Sequence, residues 1–477
     1  MHVKKLHHLL MRTVLIFCAC IAPSAGLHAK NVILFLGDGM GISTVTAARI
    51  FAGQQKGLDG EEYDLAFDKF DHVALIKTYN TDAQVPDSAG TITAIMSGEK
   101  TRIGVVGIGP DAERGDCQSA KANELPSLLE LAEEMGLETG IISTARITHA
   151  TPAGTYAHSA DRNWETDAAM PAEALEAGCS DIARQLVDSP HGDGIDVALG
   201  GGRAMFFPST VNDPEYPERQ GKRGDNNDLV KAWRDGGKNR HYVWNKAGFA
   251  NLNVEANAQY LGLFEPSHMQ YEADREKDPA GEPSLTEMTE FALDRLAHND
   301  KGYFLLVEAG RIDHGHHASN AYRALLDTVA LSDAVEATLA KVDLEETLII
   351  VTADHSHTLT ISGYPRRGNP ILGKMVPVEE LNLPGLKPYT TLSYANGPGH
   401  QKQLPDLSEV DTTAPNYRQL GLIPLPSETH AGEDVAAFAQ GNGADRVKGV
   451  MEQNKLFNVM RQALLNIPEK PEAGDKK

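Results

Sequence analysis

Short runs of consecutive apolar, often β-branched residues punctuate the chain at residues 32–36, 140–142, 195–199, 303–307 and 348–351. A strand with one face in water alternates polar and apolar residues, so a strand that is apolar at consecutive positions has to be covered on both faces. A largely parallel sheet between two layers of helices meets that condition. After the fourth run, Tyr322, Leu325, Leu326, Val329 and Ala330 recur at helical spacing, the pattern of a crossover helix returning the chain to the sheet. The expected fold class is α/β: a doubly wound, largely parallel central sheet with helices on both faces.

At one domain per roughly 100–200 residues, a chain of 477 admits two to four ordinary domains or one large α/β domain with insertions. No internal repeat and no linker is visible, which favours a single domain over residues 30–465. Two stretches break its rhythm and read as insertions, at about 208–228 (rich in Pro, Asp, Asn and Arg) and 364–426 (rich in Pro and Gly). With 41% hydrophobic and 23% charged residues the chain is neither collagen-like nor disordered. Its 44 Lys and Arg against 66 Asp and Glu leave a net charge of −22. Such a surface repels nucleic acid and anionic membrane, so binding a polyanion requires a locally positive site.

Residues 1–29 carry Lys4, Lys5 and Arg12 without an acid, then the apolar run 14–22, then small residues. This is the layout of a secretory signal peptide, and export to a periplasm or the cell exterior is expected. The apolar run is far short of the roughly 20 residues that cross a bilayer, so no membrane span is expected. Cys18 and Cys20 fall inside this leader; acylation at Cys20 is the alternative, in poor local context. The end of the sequence, 466–477, is a polar tail without the hydrophobic segment of a glycolipid anchor. Outside the leader only Cys117 and Cys179 remain. In an oxidising compartment they read as one disulfide worth roughly 4 kcal/mol, and without export as two buried thiols.

Ligands of open α/β sheets bind beyond the carboxyl ends of the strands, so the residues after each run carry the functional information. The first run leads to Gly37-Asp38-Gly39-Met40-Gly41, the fourth to Glu308, and the fifth to Thr352-Ala353-Asp354-His355. One acid after a strand is commonly a cap or turn former, but three on one sheet edge repel severely without cations. Asp313 and His317, four apart, can face one centre; Asp354 and His355 form an adjacent oxygen and nitrogen pair; His430 can complete a set. Mixed oxygen and imidazole ligands suit zinc, and all-oxygen ligands suit magnesium. His314 and His316 read as solvated loop histidines. Ser88 opens the helical run 92–97 and is on its own an N-cap; beside a metal it becomes a nucleophile.

Taken in order, Asp38-Gly39-Met40-Gly41, Asp87-Ser88-Ala89-Gly90-Thr91, the segment 308–317, Thr352-Ala353-Asp354-His355-Ser356-His357 and Thr429-His430-Ala431-Gly432-Glu433-Asp434-Val435 resemble the motifs of the alkaline phosphatase family. The resemblance covers essentially the whole chain after the leader. It is closest to the animal-type branch, through Thr148-His149-Ala150-Thr151-Pro152 up to His158, Asp161-Arg162-Asn163-Trp164, and Asn396-Gly397-Pro398-Gly399.

The resemblance implies a phosphomonoesterase of broad leaving-group range working through a phosphoserine at Ser88, with two zinc ions and one magnesium per subunit and a homodimeric assembly. Asp313, His317 and His430 are implied as ligands of one zinc; Asp38, Asp354, His355 and the Ser88 oxygen of the second; Asp38, Thr151 and Glu308 of magnesium. His149 and His357 stand in the outer shell, and Arg162 grips two phosphate oxygens through its planar fork. A calcium is implied at Glu215, the Phe264 carbonyl, Glu265 and Glu282, and a disulfide at Cys117 and Cys179. The second insertion is implied to be crown-like. The metals and Arg162 outweigh the carboxylates, so the pocket attracts the phosphate dianion that the surface repels. The competing readings are a phosphodiesterase or sulfatase-like hydrolase, which uses Thr or a modified Cys in place of Ser88, and an inert metal-binding scaffold.

Overall fold

A computed structural model describes residues 29–379 and 385–466. The expected leader and tail lie outside the described residues apart from Ala29 and Asn466. The main sheet comprises β1 (Asn31–Gly37), β2 (His72–Lys77), β3 (Glu138–Arg146), β4 (Val197–Gly201), β5 (Arg240–Val243), β6 (Gln259–Leu263), β7 (Tyr303–Ala309) and β8 (Thr347–Ala353). Strands β9 (Ser356–His357), β10 (Leu359–Ile361), β11 (Leu392–Gly397), β12 (Gly421–Pro424) and β13 (His430–Ala431) lie outside it, and β14 (Val435–Gly441) and β15 (Gly449–Glu452) rejoin it. Its order is β15-β2-β14-β8-β1-β7-β3-β4-β6-β5, and only β14 runs against the others.

Each of the five apolar runs lies in or overlaps one of β1, β3, β4, β7 and β8, and every residue of β7 and β8 is buried. Strands β2 and β14 went unread because they alternate: β14 buries Val435, Ala437 and Ala439 and leaves the residues between half-exposed. The expected crossover helix spans Ala321–Lys341, but its fully buried stripe runs through Ala321, Ala324, Leu325, Thr328 and Leu331. Most of that stripe is small residues, while Tyr322, Leu326 and Val329 are partly buried and pack against the core. The stretch 364–426 contributes β11 and β12 to a three-stranded sheet with β10.

Cys117 and Cys179 form a disulfide with Cα atoms 6.0 Å apart. It closes a small apolar cluster around Val105, Ile108, Trp164 and Met170, separate from the main core. Cross-linking residues 62 apart restricts the unfolded chain, so reduction is expected to cost about 2–5 kcal/mol. Denaturant titration with and without a reductant measures this; coincident midpoints would contradict it.

Candidate active site

The three strand-end acids meet on neighbouring strands. Leu36 of β1 lies in register with Glu308 of β7 on one side and Thr352 of β8 on the other. Asp38 and Asp354, each two residues beyond that row, therefore share one rim with Glu308. All three are fully buried. Gly39 between them has φ +68°, and a Cβ there would meet the His357 ring at 2.4 Å, so only glycine fits.

Hydrogen bonds satisfy Asp354 but not Asp38 or the whole of Glu308. Asp354 Oδ1 accepts from the Gly39 N–H (3.0 Å) and the His355 N–H (2.9 Å), and one Glu308 oxygen accepts from the Ser143 hydroxyl. Both oxygens of Asp38 and the second oxygen of Glu308 have no hydrogen-bond partner among the described residues. Burial, reinforced by Asp354, Asp313 and Glu308, holds the Asp38 carboxyl well above the usual range, and burial pushes Glu308 up to about 8. A buried carboxylate without donors costs several kcal/mol unless a cation neutralises it.

Around this rim stand groups of acids and imidazoles whose ligand atoms lie within 4.8 Å of one another. The first gathers Asp313, His317 and His430 with His357. The helix Arg311–His317 sets Asp313 and His317 one turn apart, and His430 arrives on β13. His317 Nδ1 donates to the Glu428 carbonyl, and His430 Nδ1 to the Pro86 carbonyl (2.8 Å). A carbonyl only accepts, so both rings carry their proton on Nδ1 and turn a bare Nε2 inward. Those nitrogens are 3.3 Å apart, and 3.2 and 3.4 Å from Asp313 Oδ1. Such lone pairs repel unless a cation sits among them.

His357 is different in kind. Its Nε2 lies 2.7 Å from Asp313 Oδ1 and its Nδ1 meets the Glu428 carboxylate, acceptors on both sides. Against burial, Glu428 and Asp313 push its pKa up to about 10. An imidazolium donating from both nitrogens has no lone pair for a metal.

The second group is Asp38, Asp354 and His355. His355 Nε2 is 3.2 Å from Asp354, 3.5 Å from Asp38 and 3.1 Å from Ser88 Oγ, and burial and His430 keep the ring neutral. The third is Asp38, Glu308 and His149, with Thr151 beside Glu308. His149, expected in an outer shell, thus lies within ligand reach of two acids.

Ser88 is buried and opens the helix Ser88–Ser97. The N-cap is Asp87, whose Oδ1 accepts from the Gly90 N–H (3.1 Å) and whose Oδ2 accepts from the Gly104 N–H (3.0 Å) and Arg162 Nη1 (3.0 Å). Nη2 of Arg162 lies 3.2 Å from His149 Nε2. Asp87 was not singled out in the sequence, yet it ties the guanidinium to the serine's own helix. Its signal was present: an acid directly before the serine that opens a helix.

Of the residues expected at a calcium, Glu215 and Glu265 gather with Asp278, and Glu282 stands outside that group. Glu282 Oε1 accepts from the Gln270 N–H (2.9 Å), while its other oxygen is buried without a partner. Phe264, fully buried, immediately precedes Glu265 at the end of β6. Burial, with Glu215 and Asp278 adding, pushes Glu265 up to about 7. Nothing in the acid-rich stretch 272–282 distinguished Asp278 beforehand. The reading of His314 and His316 as solvated is also corrected. His316 is fully buried, bonding Thr44 Oγ1 (3.0 Å) and the Tyr394 hydroxyl (2.8 Å), and His314 packs against His268 with ring centres 4.0 Å apart.

A parallel sheet whose rim joins unneutralised carboxylates, inward-facing imidazoles, a helix-opening serine and an arginine defines a metal-dependent phosphate-ester hydrolase. Comparison with known proteins agrees. The alkaline phosphatase family profile matches residues 29–466. The tissue-nonspecific alkaline phosphatase of Gallus gallus is 48% identical over 91% of this chain and 84% of its own; that of Homo sapiens is 47% identical over 91% and 83%. Among solved structures, Thermus thermophilus alkaline phosphatase superposes with a TM-score of 0.67 at 26% identity, covering 94% of each chain. The enzyme of the Antarctic bacterium TAB5 gives 0.62 at 22% identity, covering 92% of this chain and 99% of that one. The chain belongs to the alkaline phosphatase family and is a phosphomonoesterase.

Proposed function

We propose that Ser88 is the nucleophile of this phosphomonoesterase, that Arg162 binds the phosphate, and that the three groups hold two zinc ions and one magnesium. Asp313, His317 and His430 supply the mixed oxygen and nitrogen set that zinc prefers, as do Asp38, Asp354 and His355. Asp38, Glu308 and Thr151 supply oxygens for magnesium. The orphaned oxygens of Asp38 and Glu308 support this assignment. Cations bound there supply Lewis acidity, which lowers the pKa of the serine hydroxyl and neutralises charge on the leaving oxygen.

The observation carrying the reading is Ser88 Oγ at 3.1 Å from His355 Nε2, on a helix whose cap also holds Arg162. Ser88 Oγ attacks phosphorus in line, the ester P–O bond breaks as the Oγ–P bond forms, and the leaving oxygen departs as the alcohol, taking up the equivalent of the proton that Ser88 gives up. Arg162 faces two phosphoryl oxygens, oriented by Asp87. Water then attacks the phosphoserine, the Oγ–P bond breaks, and a proton of that water passes to Ser88 Oγ as phosphate departs. Because the grip is on the phosphoryl group, leaving groups of many shapes are accepted.

Since the reactive form of Ser88 is the alkoxide, kcat/KM is expected to rise from neutral into alkaline pH; a pH–rate profile flat or falling over that range would contradict it. Comparing a phosphate monoester with a diester and a sulfate ester tests the substrate class, with the monoester expected to be fastest by orders of magnitude.

For calcium, Glu215, Glu265 and Asp278 are the candidate ligands. Asp278→Asn is expected to weaken calcium binding measured by titration calorimetry, whereas Glu282→Gln is expected to change it less. A homodimer is supported by exposed apolar side chains in the crown-like stretch, Tyr364 at 80% and Leu422 at 77% exposure, and is tested by light scattering. The leader and the disulfide support export.

A further inference from the structure

We propose that Glu428 is the positioning residue of the Asp313, His317 and His430 metal group, acting on two of its members at once. The inference rests on the zinc reading above and adds a residue outside the expected ligand set.

Glu428 is 1% exposed and lies in the turn before β13, two residues ahead of His430. Its carboxylate is fully engaged. One oxygen accepts from His357 Nδ1, and the other from the Thr358 N–H (2.8 Å) and the Thr358 hydroxyl. Through His357 the charge reaches Asp313, because the far nitrogen of the same ring is 2.7 Å from Asp313 Oδ1. Its backbone is engaged as well. The Glu428 N–H donates to the His317 carbonyl (3.0 Å), and the Glu428 carbonyl accepts from His317 Nδ1. The backbone carbonyl at this position therefore holds the proton on His317 Nδ1, while the Glu428 carboxylate, through His357, engages Asp313 Oδ1 and is the part that a substitution removes.

The turn is anchored from outside. Asn396 of β11 accepts from the Thr429 N–H (2.9 Å) and donates to the Thr429 hydroxyl (2.9 Å), a reciprocal pair on the residue between Glu428 and His430. This gives a physical role to the Asn396-Gly397-Pro398-Gly399 motif, whose Gly397 at φ +120° is packed against the Glu428 Cβ and Cα. Partners that orient metal ligands from behind typically carry 10–100-fold of metal affinity.

Zinc titration of metal-stripped protein against a buffered chelator, with thermal melting of the stripped forms alongside, tests this without reference to turnover. Glu428→Ala is expected to weaken one class of zinc site by about 10–100-fold while the other class keeps wild-type affinity. Asn396→Ala, which loosens the turn but leaves the carboxylate, is expected to weaken the same class less. Glu428→Gln keeps the acceptors for Thr358 and is expected to fall between Glu428→Ala and wild type. Wild-type zinc affinity in Glu428→Ala, or equal weakening of both classes with a lowered melting temperature of the stripped protein, would overturn the positioning role. Failure of the wild-type chain to bind zinc at all would instead overturn the metal reading on which it rests.

Discussion

Ser88→Ala is expected to lower phosphate release by roughly 10³–10⁶-fold and, on the proposed assignment, to leave metal binding nearly intact. In the proposed route the serine contributes the attacking oxygen, and among the described residues no other hydroxyl or thiol bonds His355. The metal is expected to stay because Asp38, Asp354 and His355 keep their side chains, and β1 and β8 hold them without help from the serine. The alanine is also tolerated locally: Asp87 remains the N-cap, still accepting from the Gly90 N–H and from Arg162. Phosphate release by the variant, with zinc per chain counted by mass spectrometry, checks both halves. Turnover near wild type would refute the covalent route, and loss of zinc together with turnover would show the serine to be a structural ligand first.

Stripping the metals is expected to abolish turnover and to destabilise the fold by about 3–5 kcal/mol at neutral pH, the cost of keeping buried carboxyl groups without a cation. The sign of the pH dependence follows from the acids. Glu308 has a folded pKa of about 8 against an ordinary 4.5, with burial as the main cause. The folded, metal-free state therefore binds more protons than the unfolded chain between those values. Stability from this group is complete below pH 4.5 and is lost as pH rises towards 8. Asp38, raised in the same direction by burial and by Asp354, Asp313 and Glu308, adds to the trend. The stripped protein thus melts progressively lower from weakly acidic to weakly alkaline pH, and reloading the metals at neutral pH releases protons. Melting curves over that range, and proton release measured in weak buffer, test the two statements. A stripped protein equally stable across the range would show that Asp38 and Glu308 find compensation elsewhere.

How much of this was legible beforehand depended on the kind of signal. Strands β1, β7 and β8 announced themselves because burial on both faces leaves an apolar run, and the acids at their ends stood out against it. Strands β2 and β14 did not, because alternation with small residues such as Ala436 and Ala439 is weak. Ser88 and Arg162 were readable through their motifs. Asp87 stood inside a quoted motif and Glu428 directly before another without a visible role, because their partners, Arg162 for one and His357 and His317 for the other, are 71 or more residues away.

The chain alone determined where the buried strands run and which acids and histidines could ligate, since strand period and the position of an acid after a strand are local properties. Tertiary structure decided the rest. It placed β7, β1 and β8 side by side so that three acids share one rim, and chose Nδ1 as the protonated nitrogen of His317 and His430 through carbonyls far off in sequence. It also turned His357 into a charged bridge, buried His316, and brought Asp278 rather than Glu282 to Glu215 and Glu265. Protonation and ligation depend on which atoms stand within a few ångströms, and only the folded chain sets those distances.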